Sequence, residues 1–177
     1  AIDQEGQWFY QSDEELLFVT DDPKKIKILD KCTPVLLSPV ANDHRIIQIQ
    51  SLETLAKIDI IYPVLHGTYG EDGAIQGLAK MANLPCVGCG IIGSSVGMDK
   101  EIMKRVLTAN EIQNAPYITI RRNDNPYPSY EEAEAKLGSE LFVKPSNMGS
   151  SVGITHVKQK NDYAKALDYA FQYDNKI

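Results

Sequence analysis

The sequence predicts an α/β protein whose first half is organised around a parallel sheet and whose style changes from Gly88 to a part containing an antiparallel hairpin. Three observations carry this expectation. IDIIYPVL (58–65) is a near-continuous apolar run of the kind buried on both faces of a parallel sheet. It is followed by a glycine-rich loop, a helically spaced stretch and a second short apolar run, the order of a βαβ unit with a right-handed crossover. In the second part, LFVKP and VGITHV flank a short loop of serines and glycines, most simply an antiparallel pair.

Taken in order, short apolar runs at 8–10 (WFY), 16–19 (LLFV), 26–29 (IKIL), 35–37 (VLL) and 45–50 (RIIQIQ) alternate with turn residues and read as strands, several of them in a meander. GAIQGLAKMANL puts Ile75, Leu78, Ala79 and Ala82 on one helical face, and PCV reads as the returning strand. GCGIIG and SSVG read as a turn linking the two parts. Asp99 can cap a helix over DKEIMKRVLTANE, whose Ile102, Met103, Val106 and Leu107 share a face. PYITIRR (116–122) reads as a strand, NDNPYPS as a turn and YEEAEAKL as a helix stopping at Gly138. A final helix carries Tyr163, Leu167, Ala170 and Phe171 on one stripe. The chain starts at Ala1 without an initiator methionine and stops at NKI after an apolar-faced helix, so a fragment of a longer protein is expected.

Composition narrows the function classes. With 177 residues, 43% of them hydrophobic, the chain can bury a core. No run of about 18 apolar residues occurs, and the start lacks a basic segment leading into an apolar one. Neither a membrane span nor a secretory signal is indicated, and a cytoplasmic location is the expectation. The net charge is -6 with scattered Lys and Arg, which leaves no electrostatic footprint for nucleic acid. Cys86 and Cys89 form a C-x-x-C, but a zinc site needs about four ligands and no second pair is near. Small apolar packing is the simpler reading.

Three glycine-containing stretches compete for chemistry. GCGIIG (88–93) matches the dinucleotide fingerprint in letters, yet only Glu111, inside a helix, stands near the acidic position about 20 residues on. HGTYGEDG (66–73) lies at the carboxyl end of the strongest strand, where ligands of open sheets bind; it is equally a glycine turn with Asp72 as a helix cap. KPSNMGSSVG (144–153) is no P-loop, because its lysine precedes the glycines. It is either a mobile hairpin tip or a loop whose N–H groups and hydroxyls converge on phosphate oxygens, with Lys144 adding positive charge. Lys100 is a second cation able to approach that cleft, and alone it is a solvated lysine.

Together, VLHGTYGEDGAIQG, PCVG, the MDK of Met98 to Lys100 and FVKPSNMGSSVGI, in this order over 64–154, resemble the D-alanine:D-alanine ligases of bacterial cell-wall synthesis, members of the ATP-grasp superfamily. The resemblance implies that residues 1–90 form a Rossmann-like substrate-side domain, incomplete at its start, and residues 91–177 the first half of the ATP-grasp. By position it assigns Lys100 and Lys144 to the nucleotide, together with Ser146, Gly149, Ser150 and Ser151 of a phosphate lid. It assigns Ser150 and His66 to the pocket of the first D-alanine, with Glu71 and Asp72 supporting the His66 turn.

The implied reaction phosphorylates the carboxylate of one D-alanine with ATP, and the amine of a second attacks the acyl phosphate to give dipeptide, ADP and phosphate. Such chemistry needs positioning and neutralisation of phosphate charge rather than an enzyme nucleophile. The resemblance also implies Mg2+ or Mn2+ with ligands outside this chain, no metal ligand within it, a homodimer through the N-terminal part, and a role in peptidoglycan synthesis and cell shape. Residues 1–177 alone are then expected not to turn over. D-lactate or D-serine as second substrate stays open, as does a noncatalytic nucleotide-binding fragment.

Overall fold

The computed structural model describes residues 1–3, 5–11 and 32–177, so the strands expected at 16–19 and 26–29 lie outside the described residues. The chain divides into two compact units, Ala1–Pro63 with Gly77–Gly88, and Val64–Gln76 with Cys89–Ile177.

In the first unit, β1 (Trp8–Tyr10), β2 (Thr33–Leu37), β3 (Arg45–Gln48) and β4 (Thr54–Lys57) form an antiparallel sheet in sequence order. The meander follows from short polar connections between runs that alternate in burial, as where Val35 and Leu37 are buried and Leu36 between them is exposed. Leu37 packs with Ala82 and Leu84, and Trp8, Ile46, Ile58, Ile61 and Leu78 close around them. The strand β4 escaped the sequence reading because TLAK is too short and too polar to show an alternation.

The parallel component is smaller than expected. IDIIYPVL forms no ladder: its one bridge is Ile61 with Cys86, parallel, held by Ile61 N–H to Pro85 O and Val87 N–H to Ile61 O at 2.8 Å each. Ile60, Tyr62 and Val64 are exposed, and Pro63 has no N–H to offer a neighbour. The strand-helix-strand order nevertheless stands, because the chain between the bridged residues carries α1 (Ala74–Met81). The helix crosses the division, with Ala74–Gln76 in the second unit and the rest in the first.

In the second unit, the stretch read as a turn is a helix, α2 (Ile91–Met98). Its two glycines and two serines predict poor helicity, but tertiary contacts prevail: Ser95 Oγ donates to Asp72 O at 2.7 Å, and Ser94 and Met98 are buried. Asp99 then caps α3 (Lys100–Ala109) by accepting from Glu101 N–H and Ile102 N–H, as expected. A full capping box at Ser129 and Glu132 starts α4 (Tyr130–Leu137), and Gly138 ends it.

The hairpin is β5 (Leu141–Val143) against β6 (Thr155–Val157), antiparallel, with Leu141 opposite Val157. Helix α5 (Lys160–Ala170) covers it with Tyr163, Ala166, Leu167 and Ala170, the one-face spacing of an amphipathic helix. These side chains join Leu141, Val143, Val157, Ile120, Ala133 and Phe171 in one core. PYITIRR is not a regular strand. Ile120 exchanges both backbone bonds with Ile177 at 2.9 Å, and Arg121 bridges Lys176, so this segment pairs with the residues after α5.

Candidate functional site

Every residue expected at the site falls within the second unit, and two loops build it. The first follows Leu65. Gly67 N–H donates to Glu71 Oε2 at 2.5 Å, while Asp72 accepts from Tyr69 N–H at 2.8 Å through one oxygen and from Ala74 N–H at 2.9 Å through the other. The two carboxylates therefore knit a turn in which Gly67 and Tyr69 both have positive φ, and they leave His66 exposed at its start. Gly73, at φ +99, meets α2 so closely that a Cβ there would lie 2.4 Å from Ser95 Oγ.

The second loop joins β5 to β6. Its base is firmly held: Ser146 is buried, its N–H donates to Lys176 O and its hydroxyl to Asp99 Oδ1 at 3.0 Å. Asn147 donates through both its backbone and its side chain to Asp174 Oδ2, at 2.7 and 3.0 Å. Its tip is a tight turn, with Val152 N–H on Gly149 O and positive φ at both Ser150 and Ser151. Two successive left-handed residues are the signature of a type I′ turn, normally an Asn-Gly arrangement, so serines here hold backbone strain of the kind found at ligand clamps. Both serines are exposed.

The lysines stand on either side of this loop. Lys100, at the start of α3, donates from Nζ to Met148 O at 2.5 Å and to Ser146 O at 3.3 Å. Burial, followed by the nearby charge of Lys144, pushes its ammonium below the ordinary lysine value. Lys144 is exposed at the end of β5, its Nζ 5.4 Å from the ring centre of Phe142, and that ring stacks on His156 at 4.5 Å. Below the loop, a cavity of about 320 Å3 is lined by Lys100, Lys104, Ile118, Phe142, Lys144 and Leu167, among others.

The two loops meet. A Cβ built on Gly149 would lie 3.2 Å from Gly67 Cα and 3.9 Å from Glu71 Oε2. The structure thus brings Lys100, Lys144, Gly149 and the His66 turn together, and it puts Ser150 and Ser151 at the exposed tip. The Ser146 hydroxyl is committed to Asp99. Sequence reasoning missed Asp99, Asp174 and Lys176; Asp99 showed only as a helix cap, and nothing in the spacing linked the last residues to the loop.

Comparison with known proteins adds a second line. The family model for the D-ala D-ala ligase N-terminus matches residues 1–89, and that for the D-ala D-ala ligase C-terminus matches residues 106–177. The chain belongs to the D-alanine:D-alanine ligase family. Across all 177 residues it is 41% identical to D-alanine--D-alanine ligase A of Escherichia coli strain K12, covering 49% of that protein. Among solved structures, the D-alanine-D-alanine ligase of Coxiella burnetii aligns with TM-score 0.71 and 34% identity over 82% of this chain and 42% of its own. The VanG D-Ala:D-Ser ligase of Enterococcus faecalis aligns with TM-score 0.76 and 32% identity over 99% of this chain and 49% of its own. The chain spans about half the length of the curated relatives it matches. In the ligase family's terms, the described residues mix sheets and helices as the α/β expectation required. Among them, no helix is long and apolar enough to cross a membrane.

Proposed function

We propose that this chain is the substrate-side and nucleotide-side portion of a ligase that joins two D-alanines with ATP, forming D-alanyl-D-alanine for peptidoglycan precursors in the bacterial cytoplasm. The single observation that carries this reading is the abutment of Gly149 on Gly67, which sets a phosphate-binding loop beside the turn that bears His66. A nucleotide whose terminal phosphate lies under Ser150 and Ser151 then has its acceptor within reach of His66. Lys100 and Lys144 neutralise phosphate charge, Gly149 admits close backbone approach, and the tip serines donate to phosphate oxygens. Ser146 serves the loop as an anchor. Residues 1–90 act on the substrate side and residues 91–177 on the nucleotide side, and two copies of the intact protein pair through the N-terminal part.

Mg2+ or Mn2+ would neutralise phosphate charge on the nucleotide, its ligands are expected outside this chain, and no step here runs through it. The first step transfers the γ-phosphoryl group to a D-alanine carboxylate, and the second expels phosphate as an amine attacks the acyl carbon. What the present residues contribute is orientation and charge. The decisive assay supplies the intact gene product with ATP, Mg2+ and D-alanine. Phosphate and D-alanyl-D-alanine should appear in equal amounts, and ATP binding without ligation would point instead to a noncatalytic nucleotide-binding protein. The likeness to the VanG ligase favours one further arm, D-alanine with D-serine, in which a mixed dipeptide as main product would select the variant specificity.

A further inference from the structure

The segment that follows α5 reaches the loop from below, through contacts that neither the reaction nor the motifs require. Asp174 Oδ2 accepts both donors of Asn147, and Asp174 Oδ1 accepts Lys176 N–H at 3.1 Å. Lys176 O accepts from Ser146 N–H at 2.9 Å, while Lys176 Nζ bridges Asp99 Oδ2 at 2.6 Å and Glu101 Oε2 at 3.0 Å. Asp99 in turn receives the Ser146 hydroxyl and caps the helix that begins at Lys100. Lys100 closes the circuit on the carbonyls of Ser146 and Met148.

We propose that Asp174 and Lys176 are positioning residues for the nucleotide site: they fix the base of the Ser146–Met148 loop and, through Asp99, the direction in which Lys100 presents its ammonium. The proposal rests on the reading of Lys100 and the loop as phosphate-binding.

Several features argue for positioning rather than simple cohesion. The hydrophobic core of this unit lies under β5, β6 and α5 and includes neither Asp174 nor Lys176. The side chains of Lys176, Asp99 and Glu101 are 18%, 17% and 10% exposed, so the ion pairs are partly shielded from solvent. All these contacts end on one loop base and one helix start, and both carry proposed phosphate ligands. An ammonium is a point charge on a flexible stem, so Lys100 is useful only where its surroundings restrict it.

The test uses the intact gene product. In Lys176→Met the stem stays and the ammonium is lost; Lys176→Arg keeps a cation; Asp174→Asn keeps the size and one acceptor. ATP affinity by titration calorimetry, KM for ATP, kcat and the thermal midpoint are measured for each. Lys176→Met and Asp174→Asn should each raise the ATP Kd and KM about tenfold, equivalent to about 1.4 kcal/mol, while KM for D-alanine stays within about twofold. Lys176→Arg should recover most of the affinity. A lower thermal midpoint with unchanged ATP binding would overturn the proposal, as would equal losses for ATP and D-alanine. If Lys176→Met does not fold, Asp174→Asn decides by the same criteria. Absence of ATP binding by the unaltered protein would instead remove the underlying reading of the site.

Discussion

Gly149 of the β5–β6 loop lies against Gly67 of the turn after Leu65, with less than ordinary van der Waals room for a methyl group, since a Cβ on Gly149 would come within 3.2 Å of Gly67 Cα. The φ of Gly149 is not in the left-handed region, so it is the close approach and not the backbone conformation that calls for glycine. Replacing Gly149 by Ala should push the two loops apart by a few tenths of an ångström. In the intact protein, kcat/KM for dipeptide synthesis should fall by about tenfold or more, because displacements at the chemistry are costly. Stability should change by about 1 kcal/mol or less, because Gly149 lies in a loop outside the hydrophobic core. Steady-state kinetics beside a thermal melt separates the two, and unchanged kinetics would show that the contact has no part in the reaction.

Lys144 and Ser150 should separate binding from chemistry. Lys144→Ala removes the exposed cation at the start of the loop and should weaken ATP binding strongly, by about tenfold to a hundredfold. Ser150→Ala removes a tip hydroxyl and should lower dipeptide formation more than it lowers ATP affinity. Calorimetric titration with ATP and a phosphate-release assay on both variants check this. Equal ATP affinity in Lys144→Ala and the unaltered protein would sink the assignment of the hairpin to the nucleotide.

Acid stability should depend on Lys176. Its hydrogen bond is the largest influence on Glu101 and holds that carboxyl below its ordinary value of 4.5. Burial raises Asp99, but the Lys176 ammonium, the Ile102 N–H and the Ser146 hydroxyl outweigh it and hold the carboxyl below 3.8. Carboxyls depressed on folding add stability that is present above their unfolded values and is lost as pH falls through the folded ones. The unaltered protein should therefore hold its thermal midpoint down to about pH 4.5 and lose it below. Lys176→Met, which no longer depresses these carboxyls, should start from a lower midpoint at neutral pH and lose less of it on acidification, and identical profiles from pH 3 to pH 7 would show the network to be energetically idle.

Leu167 tests the hydrophobic core beneath the site. It is 5% exposed and packs on the face of α5 that covers the hairpin. Leu167→Ala should cost about 2–5 kcal/mol, read as a shift in the denaturant midpoint. A cost below about 1 kcal/mol would mean that the site relaxes freely around the deletion.

The sequence was most legible where one residue type has one physical use. Asp99 as a helix cap, Gly138 as a helix stop and the Tyr163, Leu167, Ala170 stripe were all read from local pattern, and the hairpin followed from its glycines. Legibility failed where tertiary contacts override propensity. Helix α2 forms through two glycines because Ser95 is tied to Asp72 and its buried side has a place to pack. PYITIRR looked like a strand because its apolar residues alternate, but its partner lies more than 50 residues away at Asn175–Ile177, a pairing with no local trace. At the site, glycines and lysines were visible as motifs; the acids and the lysine that hold them were not, because an ion pair between distant segments has no periodicity.

The loop between β5 and β6 is uneven in its attachment: Ser146 and Asn147 are bound to Asp99, Asp174 and Lys176, Gly153 is packed against Pro145 and Tyr173, and between them stand the exposed Ser150 and Ser151. A nucleotide entering beneath the tip therefore need not break any ion pair; only the exposed residues from Ser150 to Val152 must swing. Loop motions of that size occur in about nanoseconds to microseconds, whereas displacing a packed element takes microseconds to milliseconds. Nucleotide entry should consequently never limit turnover, and backbone relaxation measurements should find low order parameters at Ser150 and Ser151 beside rigid values at Ser146.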